Sequence, residues 1–351
     1  MHSLKPSYLD ALQFSAQQLE TLNRIGEYQG KQVLYAERLP EILKTMRRVA
    51  EVESTESSNR IEGIEAPRRR IQSLVVEDTA PANRSEQEIA GYRDALALVH
   101  DSAADMDVTA NVIKQLHTTM YRYLPQPGGN WKMVDNEIVE RDGTGTLRVR
   151  FRPVPAVATP QAMDDLGTYL RRALEADARP GLVVAPLAVL DFLCIHPFTD
   201  GNGRVSRLLT LLLLYQLGHQ VGRYISLERI TEESKETYYE ALEKSSRNWH
   251  EGQHDPHPWL DYFWGVLLRA YGEFTERVGG LNRGAGSKAA LVREAVERMV
   301  MPFALADVEK QCPGVSLPTI KRVLAAMRDE GLVVLEGRGR GARWRRVRLS
   351  M

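Results

Sequence analysis

Cysteine is almost missing from this chain: Cys194 and Cys312 are the only two, more than a hundred positions apart. That excludes a disulfide framework and a zinc-ligand spacing, and it points to a reducing compartment. Long hydrophobic runs are missing too. The greasiest, Leu208 to Leu214, falls far short of the roughly 20 residues that span a bilayer, so no membrane partner is expected. The opening residues Met1-His-Ser-Leu-Lys-Pro6 show no charged head followed by an apolar core, which argues against a secretion signal and for a cytoplasmic protein. Neither sign of charge dominates: 46 basic and 46 acidic residues give a net charge of zero. A surface devoted wholly to nucleic acid or anionic membrane is thereby excluded, although zero can hide local asymmetry. No Walker lysine, zinc-protease helix or nucleophile elbow occurs. Gly143-Thr-Gly145 lacks the third glycine and following helix of a dinucleotide fingerprint.

What is present is an ordinary globular composition, 43% hydrophobic and 26% charged, over 351 residues, enough for two or three domains. Helical periodicity prevails from about Tyr8 to Val76, with Leu39, Ile42, Leu43, Met46 and Val49 on one face. A further helix is expected to start at Ser57 or Ser58, both good N-caps, and to weaken at Gly63 and Pro67. Helices are also predicted at Glu86–Asp101, Ala110–Tyr123, Gln161–Asp177, Leu182–Phe192, Gly203–Leu217, Glu232–Ser246 and Pro258–Val278. Between Asn136 and Phe151 two short strands flank a turn at Asp142-Gly-Thr-Gly145. The glycine-rich run 279–287 is expected to be a linker. The predicted organisation is an N-terminal helical region (1–100), a core (101–278), the linker (279–287) and a small C-terminal domain (288–351).

The densest chemistry lies in His196-Pro-Phe-Thr-Asp200-Gly-Asn-Gly-Arg204-Val-Ser-Arg207. Gly201 and Gly203 flank Asn202, so the backbone can turn sharply and bare its N–H groups. The loop runs into a helix whose first amides are unpaired and whose dipole favours an anion. Arg204 and Arg207, three apart, can both lean over that helix end toward phosphate oxygens. Asp200 is a hard carboxylate suited to one Mg²⁺ position, and His196 can accept a proton near neutral pH. Together these are the parts that phosphoryl-type transfer needs. Taken alone, however, Asp-Gly-Asn-Gly is also a common turn, and a histidine beside proline is usually structural.

The stretch from His196 to Arg207 resembles the signature of the Fic (filamentation induced by cAMP) family, His-x-Phe-x-Asp/Glu-Gly-Asn-Gly-Arg-x-x-Arg, with all eight specified positions filled. Gly129-Asn-Trp-Lys132, the hairpin, Phe151-Arg-Pro-Val-Pro155 and Tyr238-Tyr-Glu-Ala-Leu242 resemble flanking features of that family, so the resemblance covers about Lys44 to Tyr271. It implies a mostly α-helical bundle with a small β-hairpin flap, and ATP and Mg²⁺ as cofactors. The implied reaction moves AMP to a Ser, Thr or Tyr hydroxyl of a protein target. His196 would be the catalytic base and Asp200 the metal ligand. Gly201, Asn202 and Gly203 would cradle phosphates, and Arg204 and Arg207 would pair with the β- and γ-phosphates. Tyr239 matches a position that lines the adenine pocket, although an aromatic that merely packs its helix would look the same.

Upstream, Ser58-Asn-Arg-Ile-Glu62-Gly63 resembles the family's inhibitory motif, Ser/Thr-x-x-x-Glu-Gly/Asn. The resemblance implies that Glu62 pairs with Arg207 in the γ-phosphate position and restrains the enzyme. Removal of AMP by a Glu-positioned water is an alternative activity. In the C-terminal domain, Ile320, Val323, Leu324 and Met327 form the buried face of a helix that Ser316 can cap. Thr319, Lys321, Arg322 and Arg328 face outward. Six arginines and no acidic residue follow from Gly337 onward, and Trp344 among them is expected to pack the strand on the helices. This resembles a winged helix-turn-helix, so DNA is a possible partner. The competing function is a DNA-binding regulator that uses the Fic core as a nucleotide sensor, and a homodimer stays open. His250 and His254-Asp-Pro-His257 could suggest a metal, but Pro256 and Pro258 read better as a rigid turn into Trp259.

Overall fold

The computed structural model describes residues 2–38, 40–141, 147–176, 179–299, 302–312, 315–337 and 342–347. The chain divides into two compact units, Met1–Phe274 and Thr275–Met351. In chain order the helices of the first are α1 (Pro6–Ala11), α2 (Ala16–Arg38), α3 (Pro40–Ile61), α4 (Arg68–Val76), α5 (Arg84–Ser102) and α6 (Ala110–Met120). An antiparallel hairpin follows, β1 (Ile138–Arg141) with β2 (Leu147–Phe151). Then come α7 (Thr159–Glu175), α8 (Gly181–Ile195), α9 (Asn202–Gln216), α10 (Leu227–Glu233), α11 (Lys235–Ser246) and α12 (His257–Arg298), whose residues up to Phe274 belong to the first unit and the rest to the second. The expected mostly helical fold with a small hairpin is what the chain adopts. The expected turn at 142–145 lies outside the described residues.

At the centre runs α8, apolar on every side and buried almost throughout, as a helix without a polar stripe must be. It packs between α7 and α9. Pro186 inside it removes one backbone donor and frees the carbonyl four residues earlier. The Trp264 indole donates to that carbonyl, Leu182 O, at 2.8 Å, and Trp259 donates to Pro186 O at 2.7 Å. Trp264 thus supplies the donor that the proline removes, and Trp259 ties the same stretch of α8 to α12. Side-chain caps fix the starts of neighbouring helices: Asn83 accepts from Glu86 N for α5, and Thr109 from Val112 N for α6. Among the described residues, no helix is long and apolar enough to cross a membrane.

Two expectations are corrected. No helix starts at Ser57 or Ser58. Both are buried near the C-terminal end of the continuous helix α3, because no glycine or proline interrupts residues 41–62 and propagation costs less than a fresh nucleus. On its expected apolar face Leu43 and Met46 are buried, while Val49 is exposed. Likewise the run 279–287 is helical backbone inside α12 rather than a loop. It holds no proline, and each glycine costs a helix only about 1 kcal/mol.

In the second unit, α13 (Leu305–Gln311) and α14 (Leu317–Asp329) precede an antiparallel pair, β3 (Val333–Glu336) with β4 (Arg343–Arg346). Ile320, Val323, Leu324 and Met327 of α14 join a core with Val292, Val296, Phe303 and Val308. Trp344 packs on this core, and its strand exchanges backbone hydrogen bonds with Phe303. Ser316 stands at the N-cap of α14, but its hydroxyl pairs with Thr319 Oγ1 at 2.9 Å rather than with a backbone amide.

Candidate active site

The loop between α8 and α9 is pinned at almost every residue. His196 ends α8 in the left-handed region, at φ 51° and ψ 60°, a conformation that costs a non-glycine residue about 1–3 kcal/mol. Its surroundings over-determine it. Lys132 donates from its backbone N to Pro197 O at 2.8 Å and from Nζ to Ile195 O at 3.1 Å. Asn136 Nδ2 donates to Phe198 O at 3.2 Å. The Asn202 side chain closes the turn from within, accepting from Phe198 N and donating to Phe198 O. Lys132 is 2% exposed, and its burial brings its pKa down to about 8. Its ammonium answers to Asn136 Oδ1 and to the carbonyl just before His196.

His117, on α6, holds the other end of the loop. Its Nδ1 accepts from Gly129 N at 2.8 Å, which leaves Nε2–H to donate to Asp200 O at 3.1 Å. The ring stacks on Phe198 with centroids 3.8 Å apart. Asp200 has 72% of its side chain exposed; its Oδ1 accepts from Gly201 N and its Oδ2 lies 3.8 Å from Arg204 Nη2.

His196 is partly buried, and its Nδ1 faces Leu193 O at 3.3 Å. With the proton on Nδ1, the Nε2 lone pair is the atom left for chemistry. Burial chiefly, with Lys132 and Arg150 adding to it, lowers its pKa to about 4 against the opposing pull of the Leu193 carbonyl and Glu62. The ring is therefore neutral across the physiological range and available as a base.

Across the cavity, Arg207 Nη2 donates to Glu62 Oε1 at 2.8 Å and to Ser58 O at 2.8 Å, and Nε donates to Ser58 Oγ at 2.8 Å. Ser58 and Glu62, four apart on one helix face, thus grip one guanidinium from two sides. Why the pair sits there follows from the end of α3. Gly63, at φ +78°, is the left-handed C′ residue of a Schellman cap, with Ile64 N bonded to Asn59 O and Gly63 N to Arg60 O. A glycine is what that conformation favours, and it turns Glu62 over the start of α9. A Cβ on Gly203 would collide with Glu62 Oε1, so the carboxylate rests directly on the glycine.

Arg204 is 1% exposed; its Nη1 pairs with Glu88 of α5 at 2.9 Å and its Nη2 lies 3.8 Å from Asp200 Oδ2, so it holds α9 against α5 beside the loop. The Asn202 side chain bonds both backbone groups of Phe198 within the turn.

Glu62, His196, Gly203, Arg207, Tyr238 and Tyr239 line one cavity of about 380 Å³, with Arg150 and Phe151 of the hairpin, a size within the roughly 300–1,000 Å³ of small-molecule sites. The residues fit an anion, because the Glu62 carboxylate already stands as one on Arg207 at the N-terminus of α9. They fit a single hard cation more loosely. Asp200 offers one exposed carboxylate, and no group of three His, Cys, Asp or Glu residues capable of holding a metal occurs among the described residues. Mg²⁺ held mainly through phosphates and water needs no more than that. His250 and His254, by contrast, serve packing. His250 donates from Nε2 to Arg152 O, and His254 stacks on Tyr8 and bonds Ser3 Oγ.

The contributions of His117, Lys132, Glu88 and Arg150 are not evident from sequence. Gly129-Asn-Trp-Lys132 stood out as a motif, but the loop carbonyls that Lys132 holds, Ile195 O and Pro197 O, lie more than sixty positions away, and no local spacing reveals them.

Residues 107–214 match the model of the Fic/DOC family. No curated protein matches the chain. A Fic family protein from Desulfovibrio desulfuricans G20 is similar over 97% of this chain and 98% of its own, at 21% identity and a TM-score of 0.63. A Fic domain containing signaling protein from Bacteroides thetaiotaomicron VPI-5482 is similar over 73% of this chain and 97% of its own, at 20% identity and a TM-score of 0.60. Fic-1 from C. elegans is similar over 77% of this chain and 74% of its own, at 17% identity and a TM-score of 0.60. Family proteins are generally transferases that move a nucleotide monophosphate onto proteins. With the signature loop, the hairpin and the helical frame all in place, this chain carries a Fic/DOC family domain on a Fic fold.

Proposed function

We propose that this protein transfers AMP from ATP to a Ser, Thr or Tyr hydroxyl of a protein target, and that Glu62 holds it in check. One observation carries this: the carboxylate of Glu62, just past the end of α3, occupies the anion position on Arg207 and Gly203, in the same cavity as a neutral His196. Bound there, ATP with Mg²⁺ supplies an electrophilic α-phosphorus and a pyrophosphate leaving group. Arg207 and the first amides of α9 hold the terminal phosphate once Glu62 has left. Asp200 offers the metal its one protein carboxylate. His196 Nε2 takes the proton from the attacking hydroxyl, and the exposed hairpin offers an edge on which an extended target segment can pair.

Incubation with labelled ATP tests this. Glu62→Gly should raise self-labelling by at least about tenfold, the scale of one lost charged contact. Adding His196→Ala should abolish it, and mass spectrometry should find an AMP adduct. Equal labelling of wild type and Glu62→Gly would remove the restraint from the proposal. Labelling that survives His196→Ala would remove the base.

For the second unit we propose a winged helix-turn-helix that binds DNA. It is supported by the order α13, α14, β3, β4, and by Lys321 and Arg322 standing exposed on α14 opposite its buried face.

A further inference from the structure

The β1–β2 ladder is out of step at one point. Ile138 pairs with Phe151 and Val139 with Val149, so Arg150 has no residue opposite it and forms a bulge. In a regular strand the neighbours Arg150 and Phe151 would face opposite sides. Here both line the cavity that holds His196, as expected of bulges that re-aim side chains beside active sites. Arg148, two positions earlier, turns away to Glu243 at 3.3 Å. Arg150 has no such outlet. Its Nε is buried with no hydrogen-bond partner among the described residues, and its guanidinium stands 5.4 Å from the centroid of the Tyr239 ring. The nearby carboxylates are already engaged, Glu62 by Arg207 and Glu243 by Arg148 and Arg247. A buried guanidinium N–H without an acceptor is costly unless a ligand supplies one.

We propose that Arg150 is a second anion-binding residue of this cavity, which holds a phosphate beside His196 independently of the Arg207–Glu62 pair. Glu62 then closes only one end of the site. The restrained protein keeps a place for a nucleoside monophosphate, with Tyr238, Tyr239 and Leu242 as walls, while the terminal phosphate of a triphosphate stays excluded. The proposal rests on the nucleotide reading above, and the test separates the two.

Calorimetric titration of AMP and of ATP into wild type, Arg150→Gln, Glu62→Gly and the double variant gives the answer. Arg150→Gln should weaken AMP about tenfold or more in both Glu62 backgrounds. Arg150→Lys, which keeps the charge and loses the fork, should fall between. Glu62→Gly should strengthen ATP and leave AMP nearly unchanged. If Arg150→Gln and Arg150→Lys bind AMP as wild type does, the proposal for Arg150 fails and the nucleotide site stands. If no variant binds either nucleotide, both fail together.

Discussion

His196 has to be a base in a setting that resists its protonation, and one feature of the site serves both ends. Burial lowers the ring's pKa to about 4 from an ordinary 6.5, so the charged form is the disfavoured one. The lone pair is therefore present at any pH above that value and is lost only as pH falls through it. Glu62 works in the opposite direction, so its removal lowers the value further. The pH–rate profile of Glu62→Gly with saturating ATP should accordingly stay level from about pH 8 down to about pH 5. An acid limb centred near 6.5 would mean that the ring is solvated as in a free peptide. The same residue shows how far a motif reaches. Its identity and its place before the loop are plain in the sequence, whereas the left-handed backbone and the Lys132 clamp depend on partners far along the chain.

At the scale of elements, the restraint belongs to α3 as a whole. Glu228 on α10 is a buried carboxylate that takes hydrogen bonds from Ser54 Oγ at 2.7 Å and from Tyr92 OH at 3.1 Å, with Ser226 Oγ more distant at 3.4 Å. Lys235 Nζ donates to Ile61 O at 2.8 Å, and Arg60 pairs with Glu232 at 3.1 Å. These bonds fasten the C-terminal half of α3 to α10 and α11, and Glu62 is carried on the fastened end. Removing one donor from a buried carboxylate costs about 1–3 kcal/mol. Ser54→Ala should therefore lower the unfolding midpoint and raise self-labelling, by less than Glu62→Gly because the pair with Arg207 survives. A lowered midpoint with unchanged labelling would confine the restraint to Glu62 alone. Helix periodicity placed α3 in the fold, but Ser57 and Ser58 looked like N-caps because cap preference is judged from neighbours. The unbroken helical run carries Ser58 inside α3, where its hydroxyl bonds Arg207 instead of capping.

For the molecule as a whole, zero net charge conceals an uneven distribution, and the six arginines after Gly337 are its clearest case. Part of that charge is spent internally, since Arg345 pairs with Glu336 at 2.5 Å and Arg343 lies 3.7 Å from Asp307. Lys321 and Arg322 on α14 are the better candidates for contact with phosphates. Gel-shift titration of the full chain should show DNA binding that weakens steeply with salt. The double change Lys321→Glu and Arg322→Glu should abolish that binding and leave self-labelling of a Glu62→Gly background intact. No shift at low ionic strength would leave the second unit as a module for protein contacts.

Local chemistry was readable from the order of residues alone: glycines around Asn202, arginines three apart, a histidine at the lip, helical periods of apolar residues, and Gly63 where a helix must stop. These depend on neighbours within a turn or two, and a sequence displays such neighbours directly. The tertiary structure decided which charges meet. It sent Arg204 to Glu88 and Arg207 to Glu62, set His117 under Asp200, and turned Arg150 into the cavity through a one-residue slip in a ladder. Each of those outcomes requires residues tens to hundreds of positions apart to come within about 3 Å, or a strand to pair out of step. Only the packed chain fixes such distances.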